Sequence, residues 1–193
     1  MNCTAPYMDE NGEGALDFWL NTVSADQAKI DQYLRNTGIL SNKRVLHVGV
    51  GQSSIASMFH KEFEHMDGIA IWKNEVKKGN DLGYLNYKCY VADKYMLDQL
   101  TMLGDYDVII DNNIRSYQCC DKHYEDWIGW MLDNSSTIVT HELGMRSRKE
   151  ITKEDIDRAG CLLYTSPSPR DQRGSRMASS CWKKKGGGGG GGG

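Results

Sequence analysis

Between Val45 and Ala56 the chain reads Val-Leu-His-Val-Gly-Val-Gly-Gln-Ser-Ser-Ile-Ala, and few folds accommodate such a run. Its first four residues are mostly apolar and β-branched, its middle holds two glycines one residue apart, and Ile55, Ala56 and Phe59 then recur at helical spacing. The pattern predicts a strand, a tight turn and a helix. Glycine at such a turn lets the backbone approach a ligand closely, and the free N–H groups of the following helix start favour anionic or carboxylate groups. The chemistry suggested is binding of a nucleotide-like cofactor. A bare steric turn is the alternative, because two glycines also suit any strand-to-helix connection in an α/β protein.

The rest of the chain repeats the alternation. After Ser24, a plausible N-cap, Ala28, Ile30, Tyr33 and Leu34 follow a helical spacing that stops at Asn36-Thr37-Gly38. A helix from the glycine turn is expected through Phe63, then strands at Gly68–Trp72, Tyr87–Ala92, Asp107–Asp111 and Ser136–Thr140. Tyr124, Trp127, Ile128 and Met131 lie at i, i+3, i+4 and i+7, which predicts an amphipathic helix between the last two strands. Short apolar strands separated by helices imply βαβ units, hence a doubly wound, mostly parallel Rossmann-like α/β sheet covered on both faces. Leu16, Phe18, Trp19 and Leu20 offer a patch that could cover an edge of the core.

The chain divides into an arm and helix over residues 1–40, the α/β domain over 41–160, and a tail over 161–193. The tail begins Cys-Leu-Leu-Tyr-Thr-Ser-Pro-Ser-Pro-Arg-Asp and ends in three lysines and eight glycines. It resembles a translated sequencing-library adapter, so it is read as non-native and disordered, against the plainer alternative of a Gly-rich natural tail. Of 23 basic and 26 acidic residues, six basic and one acidic fall after Gly160, which leaves the first 160 residues at 17 basic and 25 acidic, a net charge of −8. Phosphate-backbone binding rests on clustered Lys and Arg, so nucleic acid is disfavoured as a partner and a small molecule or protein is favoured. No long apolar run or signal pattern is present, and the expected setting is the cytoplasm, without a membrane. Cys3, Cys89, Cys119 and Cys120 show no C-x-x-C spacing and read as reduced thiols.

A parallel sheet binds ligands beyond the carboxyl ends of its strands, where the strand order reverses. The residues there are Gly49 to Ser53, Trp72 to Glu75, Asp93, Asp111 to Asn113, and His141-Glu142. An acid at a strand end is commonly a cap or turn former; four acids among five such places, together with the glycine turn, favour a site.

From about Ser41 to Arg146 this pattern resembles the class I S-adenosylmethionine-dependent methyltransferases. Their first motif, acid-x-Gly-x-Gly-x-Gly, aligns with His47, Gly49, Gly51 and Ser53; Tyr106-Asp107-Val108-Ile109-Ile110-Asp111-Asn112 resembles the fourth motif, and Val91-Ala92-Asp93 the segment whose acid faces adenine. His47 stands in place of an acid, Ser53 in place of the third glycine, and Ala70 where an acid commonly holds the ribose. The resemblance implies S-adenosylmethionine as cofactor, with His47 and the glycine turn at its methionine end, Asp111 or Asn112 on the methionine moiety, Asp93 on the adenine amine and Glu75 on the ribose. His141 and Glu142 would lie on the substrate side and take a proton from a small-molecule acceptor. The absence of Asp-Pro-Pro-Tyr, Asn-Pro-Pro-Phe and Pro-Cys strings disfavours the DNA-methylating branches.

The family's sheet has seven strands, the last two an antiparallel pair, whereas five are legible here before a helix-like Lys149 to Arg158. The sheet is therefore expected to be truncated after about five strands, with an uncovered edge prone to self-association. No metal site is expected: Cys119, Cys120 and His123 read as buried thiols and a neighbour, since adjacent cysteines on a helix point about 100° apart. The rival functions are a nicotinamide-dependent oxidoreductase, from Gly49-x-Gly51-x-x-Ser54, and a catalytically inactive methyltransferase-like binding domain.

Overall fold

A computed structural model of the chain describes residues 25–141 and 162–164. The expectations for the N-terminal arm, the Leu16–Leu20 patch, the Lys149–Arg158 helix and the tail beyond Tyr164 lie outside those residues. The elements run α1 (Ala25–Thr37), β1 (Arg44–Val48), α2 (Ser54–Phe59), β2 (His65–Ala70), α3 (Lys73–Asn80), β3 (Tyr87–Val91), a 3₁₀ turn (Leu97–Leu100), β4 (Tyr106–Asp111), α4 (Asp121–Asn134), β5 (Ser135–His141) and β6 (Leu162–Tyr164). The sheet order is β3-β2-β1-β4-β5-β6, and every pairing is parallel. The first crossovers step outward from β1 to β3 and the chain then returns to the other side of β1, so the order reverses between β1 and β4. Among the described residues no helix is long and apolar enough to cross a membrane.

Strand alternation divides the core into two layers. On one face Val45, Met66, Val108, Ile110 and Val139 pack with Ile30 and Leu34 of α1, Ile55, Ala56 and Phe59 of α2, and Val76 of α3. On the other, Leu46, Val48, Ile69, Ile109 and Ile138 meet Tyr124, Trp127 and Met131 of α4. Burying side chains such as Trp127 or Phe59 contributes on the order of 2–3 kcal/mol each from apolar area removed from water. Helices on both faces make this the doubly wound arrangement the strand spacing predicts.

Two boundaries differ from the sequence reading by three residues or more. β2 begins at His65 rather than Gly68, because the acid within it is accommodated: Asp67 is buried and accepts hydrogen bonds from Tyr106 Oη at 2.8 Å and His65 Nε2 at 3.1 Å. The helix after the glycine turn ends at Phe59 rather than Phe63.

The third difference lies at the sheet edge. Leu162–Tyr164, read as tail, forms a strand whose residues pair with Val139, Thr140 and His141. A strand edge exposes a row of unpaired N–H and C=O groups and accepts a short apolar segment whatever its origin. The pairing is parallel, unlike the antiparallel neighbour that the resemblance implies at this edge.

Candidate cofactor site at the carboxyl edge

The turn after β1 is held by backbone bonds. Gly49 N–H donates to Ile69 O of β2 at 2.8 Å, and Ser53 N–H to Val50 O at 2.7 Å. Gly49 (φ 71°) and Gly51 (φ 51°) both occupy the left-handed region that favours glycine. A Cβ placed on Gly49 would meet nothing within 4 Å. The turn therefore leaves open space beside its backbone, and the positive φ, not crowding by a neighbour, calls for glycine there.

Two residues earlier, His47 is 1 % exposed, pairing in register with Gly68 of β2 and Ile110 of β4. Neither ring nitrogen has a hydrogen-bond partner among the described residues. Burial pulls the imidazole from its ordinary 6.5 down to about 4, so it is neutral near pH 7, with one nitrogen able to donate and the other to accept. A buried polar group without partners costs roughly 1–3 kcal/mol. Such a cost placed next to an open glycine turn is a feature of binding sites.

Glu75, in the first turn of α3, is 7 % exposed and takes a hydrogen bond from the Gly51 backbone. Burial, partly offset by that bond, raises its carboxyl from 4.5 to about 7. Its side chain holds the glycine turn. Ser53 (φ 57°) is fully buried, and its hydroxyl shares a 2.9 Å hydrogen bond with Tyr87 Oη of β3. The sequence brings Ser53 to the turn, but its side chain is engaged within the fold.

The loops after β3 and β4 are latched to one another. Asp93 is buried, and its Oδ1 accepts from Tyr95 N–H at 2.9 Å in a turn of its own making. Asp111, at the end of β4, accepts from Lys94 Nζ at 2.9 and 3.2 Å, from Trp127 Nε1 at 3.0 Å and from Asn113 N–H at 3.1 Å. Lys94 also donates to Asn113 O, and Tyr95 Oη to Ile114 O. Asp111 is thus an internal node. Asn112 reaches instead toward α1, its Nδ2 donating to Gln27 Oε1 at 3.4 Å, while its buried Oδ1 lacks a hydrogen-bond partner among the described residues. Of the acid-and-amide pair, Asn112 retains binding capacity.

Lys94 was missed from sequence, and Trp72 was placed at the carboxyl edge without a role. The only signal for Lys94 was that a carboxylate ending the apolar run Val108–Ile110 needs a cation, without indication of which. Trp72 is buried after β2, edge-on to Tyr117 of the β4–α4 loop with ring centroids 6.3 Å apart. His141 is the last residue of β5, at the same edge of the sheet, and Glu142 lies outside the described residues. Ala70, the last residue of β2, is buried.

Cys119 and Cys120 differ from their expected setting. They precede α4 rather than lie on it, Cys120 being its extended N-cap (φ −162°), and both are half-buried. The divergence expected of helical neighbours does not apply.

No protein-family model and no curated protein matches the sequence. Solved structures do match. N-methyltransferase NodS from Bradyrhizobium japonicum WM9, in complex with S-adenosyl-L-homocysteine, superposes with a TM-score of 0.54 at 11 % identity, over 68 % of this chain and 72 % of that one. Magnesium protoporphyrin IX methyltransferase (ChlM) from Synechocystis PCC 6803, with bound SAM, gives 0.52 at 16 % identity, over 72 % of each chain. An S-adenosylmethionine-dependent methyltransferase from Clostridium acetobutylicum ATCC 824 gives 0.50 at 8 % identity, over 64 % of this chain and 52 % of that one. With a reversing parallel sheet, an open glycine turn at the reversal and these structural neighbours, the chain has the fold of the class I S-adenosylmethionine-dependent methyltransferases.

Proposed function

We propose that the chain binds S-adenosylmethionine at the carboxyl edge of β1 and β4 and transfers its methyl group to a small-molecule acceptor. The observation that supports this most is the pairing of the open Gly49 turn with the unpartnered, buried His47 imidazole at the point where the strand order reverses. Neighbours of the same fold that carry S-adenosylhomocysteine or SAM support the choice of cofactor. When bound, that cofactor supplies an electrophilic sulfonium methyl.

The residues divide the remaining work. Neutral His47 and Asn112 offer a donor and acceptors for an amino-acid moiety, and Gly49 leaves the backbone room to approach it. Glu75 acts through Gly51, fixing the turn by its backbone bond. Asp93 is the proposed adenine contact, held in orientation by Tyr95 N–H. Lys94 and Asp111 lock the two flanking loops, so the site is organised before ligand arrives. His141 is the proposed base for the acceptor proton, with Glu142 beside it in sequence.

Calorimetric titration of the full chain with S-adenosylmethionine, S-adenosylhomocysteine and NADH tests the reading. The first two should bind and NADH should not. Binding of NADH alone favours the oxidoreductase; no binding by any favours an inactive relative of the fold.

A further inference from the structure

We infer that Cys119, Cys120 and His123 form a binding site for a thiophilic d¹⁰ cation such as zinc(II). The ligand atoms of these three side chains lie within 4.8 Å of one another. Cys119 Sγ is 3.9 Å from Cys120 Sγ and 2.9 Å from His123 Nδ1. Around a tetrahedral zinc with Zn–S near 2.3 Å and Zn–N near 2.0–2.1 Å, two sulfurs stand about 3.8 Å apart and a sulfur and a nitrogen about 3.5 Å apart. The sulfur pair already has that spacing. The sulfur–nitrogen pair, now hydrogen-bonded, needs to open by only about 0.6 Å, within reach of a side-chain rotation in half-buried residues.

Thiolates, not thiols, bind the metal, and the position favours them. Cys120 caps the N-terminus of the 14-residue α4 without a side-chain cap bond, where the aligned peptide dipoles stabilise negative charge. Two thiolates would neutralise a divalent cation, and one neutral imidazole would complete three protein ligands, leaving the fourth position to water.

The place of the cluster gives it a consequence. It ends the loop that leaves β4 at Asp111 and carries Tyr117 against Trp72 at the mouth of the candidate cofactor site. A cation there would fix the outer end of this loop to the first turn of α4. The proposal does not depend on methyl transfer.

The test uses the reduced, metal-free full chain with Cys3, Cys161 and Cys181 replaced by serine, so that the thiols left are Cys89 and the cluster. Titration with zinc(II) against a chromophoric chelator should show one ion bound. Cobalt(II) should give a thiolate charge-transfer band that halves in Cys120→Ser and disappears in the double variant Cys119→Ser/Cys120→Ser. His123→Ala should weaken zinc binding by at least the about 10- to 100-fold seen when even an outer partner is lost. Circular dichroism confirms that each variant is folded; His123→Ala, which leaves both thiols, guards against misfolding of the double variant. An unchanged zinc affinity in the double variant overturns the site.

Discussion

Glu75 and His47 pull stability in opposite directions with pH, and the substitution Glu75→Gln separates them. Burial raises the Glu75 carboxyl from 4.5 to about 7. Between those values the folded chain holds a proton that the unfolded chain has released, so stability falls as pH rises. At about 1.4 kcal/mol per pH unit, the loss reaches about 3 kcal/mol above pH 7 and is absent below pH 4.5. Burial lowers His47 from 6.5 to about 4. There the unfolded chain holds the extra proton, so a penalty of about 3 kcal/mol is complete below pH 4 and is relieved as pH rises to 6.5. Between pH 4.5 and 6.5 the two slopes offset one another.

Glutamine keeps the size of Glu75 and an oxygen for the Gly51 N–H while removing the titration. The variant should match the parent near pH 4.5 and exceed it by about 3 kcal/mol at about pH 8. Its stability should climb steeply through the histidine window that the parent conceals. His47→Leu should show the converse, a decline from pH 4.5 to 7. Urea unfolding followed by tryptophan fluorescence at stepped pH gives these free energies by linear extrapolation. A Glu75→Gln chain no more stable than the parent at about pH 8, or one whose advantage does not vary with pH, refutes the reasoning.

Other substitutions probe the turn, the buried pair and the packing. Gly49→Ala should cost roughly 1–2 kcal/mol of backbone strain at φ 71° and sharply weaken S-adenosylhomocysteine binding; unchanged affinity by calorimetry would place the ligand elsewhere. Lys94→Met leaves the Asp111 carboxylate buried without its cation and should cost about 3–5 kcal/mol in urea unfolding; a loss under about 1 kcal/mol would mean the pair is not stabilising the latch. Gly79→Ala would be expected to gain about 1 kcal/mol of helix propensity, yet its Cβ would fall within 2.8 Å of Ser53 Oγ and closer still to Cys89 Sγ, so a net loss is predicted by thermal denaturation. A chain ending at Gly160 exposes the edge of β5 that Leu162–Tyr164 covers and should self-associate in sedimentation experiments; a monomer at all concentrations would contradict this.

Apolar periodicity carried most of the fold. Val45–Val48, Asp107–Asp111 and Ser136–Thr140 were legible because their centres, such as Val108–Ile110 and Ile138–Val139, are apolar and buried. β2 was misplaced by its buried acid, since Asp67 is paid for by Tyr106, 39 residues away, and no local pattern discloses a partner at that distance. β6 was missed for a different reason. Three residues contain too little periodicity to mark a strand, and their pairing follows from the β5 edge rather than from their own sequence.

The same division between local and distant information governs the site. Backbone features were legible: Gly49 and Gly51 are glycines because of their positive φ, a property of the turn itself. Side-chain roles were not, because a carboxylate at a strand end looks alike whether it faces a ligand or an internal cation. Asp111 meets Lys94 and Trp127, Glu75 meets the Gly51 backbone, and Ser53 meets Tyr87. Each of these polar groups is satisfied within the fold, and together they hold the carboxyl edge rigid around the members that are not. Among the described residues His47, standing where the resemblance implies an acid, is left unsatisfied, as is Asn112 Oδ1. An acid in the same buried position would be driven toward its neutral form by desolvation or would need a cation, whereas an imidazole stays neutral near pH 7 and still offers both a donor and an acceptor. The substitution therefore preserves hydrogen-bonding capacity while changing its sign preference: an acid attracts only cations and donors, and a neutral histidine can serve the carboxylate as well as the ammonium of an amino-acid moiety.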